Sequence, residues 1–178
     1  MTQGGIGGLL ALDLSSRTGW TYGPPGARKA GGVWQLPPAS NRGRQFNTLS
    51  EHLCDALDLF RPDAVLMEAA LSVFAQTRED TARQQFGLAA MVELICDRYD
   101  MEPFEANSAT VRKAVTGAAR APGKNEREKK QHWVRWCQAN GYPDVLDDNE
   151  ADSLILWRYG TAVFQRAGKW AALRAKGK

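Results

Sequence analysis

Three acidic side chains lie where a buried element is predicted to end or to begin. Asp13 stands at the end of the apolar run 6–14, and Glu68 ends a second such run. Asp152 lies in the first turns of a late helix, after an acidic loop. Ligands of open α/β sheets bind beyond the strand ends, so these carboxyl groups are expected to face one crevice. Carboxylate oxygens suit Mg²⁺, and two such ions about 4 Å apart stabilise both the attacking and the leaving oxygen of a phosphodiester.

A fourth metal ligand is expected on the same helix as Asp152. Asn149 precedes Asp152 by three residues, so the two share one helix face, and its amide offers a neutral carbonyl oxygen. Asp148 or Glu150 is an alternative source of that oxygen. Without a cation the clustered carboxylates would repel one another, and some of them would hold a proton.

The charge is unevenly distributed, although the net charge is only +3. Residues 112–135 contain eight basic and two acidic side chains, and residues 166–178 contain five basic side chains and no acid. An acidic run lies between these two segments. Basic segments around acidic side chains suit a polyanion held over a metal site. A solvated helix face followed by a basic tail is the alternative that the charge pattern leaves open.

The elements that must position these residues follow from hydrophobic periodicity and turn signals. Short apolar runs predict three strands joined as an antiparallel meander, then two more strands. Amphipathic 3–4 spacing and capping residues predict the helices between and after them. The predicted strands are 6–14, 18–23, 32–36, 63–68 and 102–105, and the predicted helices are 41–60, 81–99, one from 108, 125–140 and one from about 149, with loops at 117–123 and 143–148. This order implies a mixed sheet with helices on its faces.

Composition limits the class of protein. The 178 residues are 43% hydrophobic and 24% charged, which is typical of one globular domain and excludes extended disorder. No stretch of eighteen apolar residues and no secretory signal is seen, so a membrane partner is not expected. The three cysteines form no CxxC pair, which favours a reducing, cytoplasmic location. His52 and His132 lack partners at metal-ligand spacing and are interpreted as helix-surface residues, and Cys137 as part of the core.

Four segments, in order, resemble the RuvC family of Holliday-junction resolvases, in particular its phage-encoded relatives. They are LALDLSSRTGW, DAVLMEAALSVF, VRKAVTGAARAPGK and NEADSLILW, and they fall within residues 8–160. The resemblance implies an RNase H-like α/β fold with a five-stranded mixed sheet, its first three strands antiparallel, and helices on both faces. Residues 1–165 would be the nuclease domain and 166–178 a basic C-terminal tail. It also implies a homodimer that binds a four-way DNA junction and nicks it in pairs with Mg²⁺ or Mn²⁺.

The resemblance also assigns roles to single residues. Asp13 and Glu68 would be the first two metal ligands, and Asp152 the last acidic one. Asn149 stands where the family usually has an acid, so it is a predicted ligand that departs from the family pattern. Lys124 would lie near the scissile phosphate as a catalytic residue, and Phe74 would stack on a base at the crossover unless it belongs to the core. The residues expected to contact DNA are Arg112, Lys113, Arg120, Lys124 and Phe74.

Three other functions remain open at this point. A broader nuclease of branched DNA or RNA–DNA hybrids would use the same carboxylates on the same fold. A non-catalytic junction-binding module is favoured only by Asn149. The segment DLSSRTGW also resembles the start of an actin-type or sugar-kinase domain, but 178 residues are too few for the second nucleotide-binding half.

Overall fold

A five-stranded mixed sheet forms the centre of the protein. The computed structural model describes residues 8–70 and 79–166. The strands are β1 (Leu9–Asp13), β2 (Arg17–Gly23), β3 (Ala30–Gln35), β4 (Ala64–Glu68) and β5 (Phe104–Ala106). They are arranged in the order β3-β2-β1-β4-β5. The first three strands are antiparallel, whereas β1, β4 and β5 run parallel, as predicted from the sequence.

Five α-helices complete the described fold. They are α1 (Arg42–Phe60), α2 (Glu79–Arg98), α3 (Ser108–Thr116), α4 (Glu126–Ala139) and α5 (Asp148–Arg166). Asparagine side chains cap three of them: Asn41, Asn107 and Asn125 accept hydrogen bonds from backbone N–H groups of α1, α3 and α4. The prediction of a loop through Asp148 was one residue too long, because α5 begins at that residue.

The strands alternate their side chains between two apolar layers. Leu10, Leu12, Val65 and Met67 face one layer with α1 and α2, whereas Leu9, Ala11, Ala64 and Leu66 face the other with α4 and α5. Successive residues of a strand point to opposite faces, so two buried faces require nearly continuous apolar runs. This explains why the strands were recognisable in the sequence and why helices cover both faces.

Two glycines allow α5 to lie directly against the sheet. A Cβ atom on Gly160 would come within 2.5 Å of the side chains of Leu9 and Leu66. A Cβ atom on Gly19 would lie 1.9 Å from the carbonyl oxygen of Asn149. Gly19 pairs with Asp13 across the β1–β2 ladder. The first turn of α5 is therefore held beside the end of β1.

Both histidines lie on helices, but they are more enclosed than the predicted surface positions. His52 stacks on Trp34 with ring centroids 5.5 Å apart, and His132 contacts Trp133 edge-on at 4.8 Å. Cys137 is fully buried, as predicted. Among the residues that the structure describes, no helix is long and apolar enough to cross a membrane.

Candidate active site

The carboxyl groups of Asp13 and Glu68 meet at the ends of two adjacent parallel strands. The ladder between β1 and β4 pairs Leu12 with Met67, and Asp13 and Glu68 follow directly. A side-chain hydrogen bond joins the two carboxyl groups. Burial raises the pKa of Asp13 well above its usual value, and the charges of Asp152 and Glu68 raise it further. Burial and the neighbouring acids thus oppose the ionisation of Asp13, as expected for acids that share one site.

Asp152 joins this pair from α5. Burial raises the pKa of Asp152 to about 6, against the opposing effect of Arg112, and the charge of Glu68 contributes to the rise. A cavity of about 10 Å³ is lined by Glu68, Ser108, Arg112 and Asp152, among others. The three acids predicted from the sequence therefore lie close enough together for Glu68 to raise the pKa values of Asp13 and Asp152.

Arg112 of α3 is the cation of this group. Its Nη2 and Nε atoms donate to Oδ1 of Asp152 at 2.9 and 3.3 Å. Its guanidinium group also lies over the ring of Trp133, 5.7 Å from the centroid. The sequence-based prediction for Arg112 was a contact with DNA, whereas the structure places its guanidinium group on an acidic side chain.

Two neighbouring clefts open on either side of Arg112. The first, here called the strand-end cleft, has a volume of about 430 Å³ and is lined by Asp13, Glu68, Gln85 and Asn107. The second, the helix cleft, has a volume of about 490 Å³ and is lined by Lys129, Lys130, Trp133, Asn149 and Asp152. Arg112, Ala119 and Arg120 line both clefts and form their common wall. Asp152 therefore lines the helix cleft and is not among the residues that line the strand-end cleft.

The donor chemistry of the crevice fits a divalent ion, although the side chains are not arranged around one. Three carboxyl groups lie around a single guanidinium group, and the pKa of Asp13 is raised despite that positive charge. Oxygen donors of this type are those that Mg²⁺ and Mn²⁺ prefer. Among the described residues, however, no three His, Cys, Asp or Glu side chains are grouped so that they could hold a metal ion. Asp152, the third predicted ligand, is paired with Arg112.

The candidates for a fourth ligand already have partners within the chain. The amide nitrogen of Asn149 donates to Asp147 at 3.0 Å, and Asp147 is in turn paired with Arg17. Asp148 is paired with Lys130 at 2.6 Å. Asn149 lies on the same cleft as Asp152, as their spacing predicted. A metal-binding role for Asn149 remains a prediction.

The predicted DNA-contacting lysines lie away from the carboxyl groups. Lys113 and Lys124 are exposed, and neither lines the strand-end cleft or the helix cleft as the described residues define them. The backbone N–H of Lys124 donates to Glu128 at 2.7 Å. Arg120 is also exposed, but it lines both clefts, and its contact with DNA remains a prediction. Phe74 and the basic residues after Arg166 fall outside the described residues, so their roles remain predictions.

Three residues at the clefts were missed as site residues by the sequence analysis. Asn107 lines the strand-end cleft, where its side chain also caps α3. The Asn-Ser pair at 107–108 is a capping signal at the end of a strand and would have found it. Gln85 and Trp133 also line the clefts, but no pattern in the sequence distinguishes them from other helix residues.

The comparisons with known proteins bear on the fold. No model of a known protein family matches the sequence, and no curated protein matches it. The structure of Thermus thermophilus RuvC in complex with a Holliday junction substrate is similar, with a TM-score of 0.71 and 14% sequence identity over 91% of this chain and 96% of that one. A structure of RuvC from the same organism gives a TM-score of 0.65 and 16% identity over 90% of this chain and 96% of that one.

This chain has the RuvC fold. The yeast mitochondrial Holliday junction resolvase Ydc2 is similar at a TM-score of 0.54 and 14% identity, over 90% of this chain and 81% of that one. The likeness to RuvC predicted from four sequence segments is thus confirmed for the architecture. The RNase H-like arrangement, with three antiparallel strands first and helices on both faces, is confirmed with it.

Proposed function

We propose that this protein is an endonuclease that resolves four-way DNA junctions by paired nicks and depends on a divalent metal ion. The observation that carries the proposal is the group of Asp13, Glu68 and Asp152 at the strand ends of a RuvC-like sheet. Likeness of fold alone leaves the chemistry open, because one fold hosts many functions. Clustered acids, of which Asp13 and Asp152 have raised pKa values, beside basic side chains supply the chemical reason for a phosphodiester substrate.

Mg²⁺ or Mn²⁺ is the proposed cofactor. Asp13, Glu68 and Asp152 would hold the ion, with Asn149 as a further oxygen donor. When bound, such an ion lowers the pKa of coordinated water and neutralises charge on the phosphate. An ion at this site would favour the ionised form of Asp13.

Phosphates of the junction arms are proposed to lie over the helix cleft and its surroundings. Lys129 and Lys130 of α4 line this cleft, and Arg120 lies at its wall. Contacts of this kind position the backbone without reading sequence, and they weaken steeply as the salt concentration rises. Lys113 and Lys124 are proposed to extend this basic surface, and Phe74 to stack at the crossover.

Lys124 serves as a test of the catalytic role that the resemblance assigned to it. Lys124→Ala is expected to slow cutting while it changes junction affinity little, because one exposed phosphate contact adds little to a large basic surface. Single-turnover cleavage and a binding titration separate the two effects. Unchanged turnover would remove Lys124 from the site.

A homodimer is proposed, since paired nicks need two active sites. The outer face of α2 carries an apolar stripe at helical spacing, with Phe86 43% exposed and Leu94 46% exposed. Ala90, between them, is exposed as well. Apolar stripes of this kind mark contact surfaces between proteins. We further propose that the protein acts in the cytoplasm of a bacterial or phage-infected cell.

The decisive experiment compares DNA substrates. A labelled synthetic four-way junction with Mg²⁺ is expected to yield symmetric nicks with ligatable ends, whereas a linear duplex of equal length stays intact. A flap and an RNA–DNA hybrid serve as further substrates. Cleavage of these at the rate of the junction would instead support the broader nuclease.

A non-catalytic junction-binding module is the second candidate. Asn149 replaces an expected acid, and Arg112 is paired with one of the carboxylates that catalysis needs. Asp13→Asn separates the two possibilities. If the wild-type chain cuts and the variant binds the junction without cutting it, the nuclease assignment stands. Junction binding without cutting by the wild-type chain would favour the module.

A further inference from the structure

We infer that Arg112 holds the position of a cation on Asp152, and that it leaves this carboxylate for a DNA phosphate when a divalent ion is bound. In this view the ion and the guanidinium group exchange places during assembly of the active complex. The inference rests on the proposed function and adds a device that keeps the carboxylates from holding an ion prematurely.

The first argument is the position of the guanidinium group. Two of its nitrogens donate to a single oxygen of Asp152, and the side chain is about one-quarter exposed. The cavity of about 10 Å³ next to it is lined by Glu68 and Asp152, which are both predicted ligands. A cavity of that volume accommodates about one water-sized particle. Arg112 thus contacts the carboxylate oxygen that an ion in this cavity would also need.

The second argument is that the guanidinium group of Arg112 has an alternative binding partner within reach. It lines both the strand-end cleft and the helix cleft, and Arg120 lies beside it on the common wall. A guanidinium group binds phosphate through two parallel hydrogen bonds, so a phosphate above this wall offers a partner as good as the lost carboxylate. The ring of Trp133 supports the guanidinium group in its present position.

The exchange has a measurable consequence for metal affinity. Only molecules in which Arg112 has left Asp152 can bind the ion. The apparent affinity for the ion is therefore the intrinsic affinity multiplied by the fraction of such molecules. Removal of Arg112 abolishes the competing state and leaves Asp152 without a partner. Metal binding in the absence of DNA should therefore become tighter, even though the protein has lost a side chain at the site.

The test uses the full chain and Mn²⁺ alone, with the free ion counted by electron paramagnetic resonance. Arg112→Gln is expected to bind Mn²⁺ at least about tenfold more tightly than the wild type. Arg98→Gln, at the exposed end of α2, makes the same change of charge away from the clefts and should match the wild type. The double variant Asp13→Asn with Arg112→Gln should lose the tight site, which would locate the ion at the strand ends.

Equal or weaker Mn²⁺ binding by Arg112→Gln overturns the inference. If that variant does not fold, the wild-type chain supplies the same test through the Nε–H resonance of Arg112 during a Mg²⁺ titration. A shift that saturates with the ion supports release, and an unchanged resonance at saturation rules it out.

Neither measurement involves DNA cleavage. A chain that shows the exchange but cuts no junction would refute the proposed function alone, and a chain that cuts without the exchange would refute this inference alone.

Discussion

At the scale of single residues, the acids of the crevice oppose the stability of the protein. Burial and neighbouring charges raise the pKa of Asp13, and burial raises that of Asp152 to about 6. The native state therefore binds more protons than the unfolded chain above about pH 4. Stability falls as pH rises through this window, because the native state must then give up protons that it holds more tightly. Such a cost is common where groups are gathered for function.

Asp13→Asn should remove part of this cost. The free energy of unfolding at pH 7 is expected to rise by roughly 1–3 kcal/mol, since an amide can donate to Glu68 without carrying charge. The stability of the variant should also fall less between about pH 4 and pH 6. Urea titrations over that range measure both effects. Asp55→Asn, on the exposed side of α1, is the matched control, and a variant less stable than the wild type at pH 7 would contradict the prediction.

Asn149→Asp tests the departure from the family pattern. A carboxylate at this position should cut at least as well as the wild type if position 149 is a ligand. The change also replaces the donor to Asp147 with a like charge, so a moderate loss of stability is expected. Cleavage rates over a range of Mn²⁺ concentrations measure the first effect. Strong inactivation at every concentration would show that a neutral side chain is needed there.

At the scale of elements, the position of α5 decides whether the third acid reaches the other two. Ion pairs tie the acidic segment before and within its first turn to the connection between β2 and β3: Arg28, whose side chain is 9% exposed, pairs with Asp144 and Glu150. Trp157 donates from its ring nitrogen to the carbonyl of Gly23 at 3.0 Å, and Ser153 bonds to Thr21 at 2.9 Å. These contacts fix the helix along its length.

Gly19→Ala should therefore damage the site without touching an acid. The added methyl group would overlap the carbonyl of Asn149 and push the start of α5 away from β1. A loss of about 1–3 kcal/mol in stability is expected, together with slower cleavage. Gly43→Ala is the control, because its Cβ on α1 meets nothing within 4 Å and should stabilise the helix by about 0.5–1 kcal/mol. Equal stability of Gly19→Ala and the wild type would contradict the account.

The sequence predicted the elements well because their causes are local. Apolar strands, asparagine caps and the Asn-Gly pair at 140–141 are all visible within a few residues. The meeting of Asp13 and Glu68 also followed, since adjacent parallel strands end at one edge. The partner of Arg112 was not predictable, because Asp152 lies 40 residues further on and any of several acids would have suited it. Its contact depends on how α3 and α5 pack, and single-sequence patterns do not report that packing.

At the scale of the whole molecule, the helix cleft and the apolar stripe of α2 lie on different parts of the surface. The acids meet at one edge of the sheet, and α4 brings Lys129 and Lys130 to the adjoining helix cleft. The exposed apolar side chains Phe86 and Leu94 lie on α2, on the layer of the sheet opposite to α4 and α5. The proposed nucleic-acid surface and the proposed dimer surface therefore lie on different layers of the fold.

Leu94→Glu should weaken the proposed dimer and leave the fold intact, because a charge on the stripe opposes its burial. Sedimentation equilibrium is expected to show a lighter species than the wild type, and the two nicks of a junction should become uncoupled. Leu59→Glu, on a 75% exposed residue of α1, introduces the same charge outside the stripe and should not change the mass. An unchanged mass for Leu94→Glu would place the contact elsewhere.

The parallel pairing of β1 with β4 affects which ions the proposed metal site would accept. Asp13 and Glu68 are attached to strands about 4.8 Å apart. Backbone hydrogen bonds set this distance, so it cannot adjust to the radius of an ion between the two side chains. Asp152 is attached to α5, which contacts the sheet through its side chains and is not part of the hydrogen-bonded ladder. In the proposed metal site, discrimination between Mg²⁺ and the larger Ca²⁺ would therefore depend on the position of α5, because the spacing of the two strands is constant.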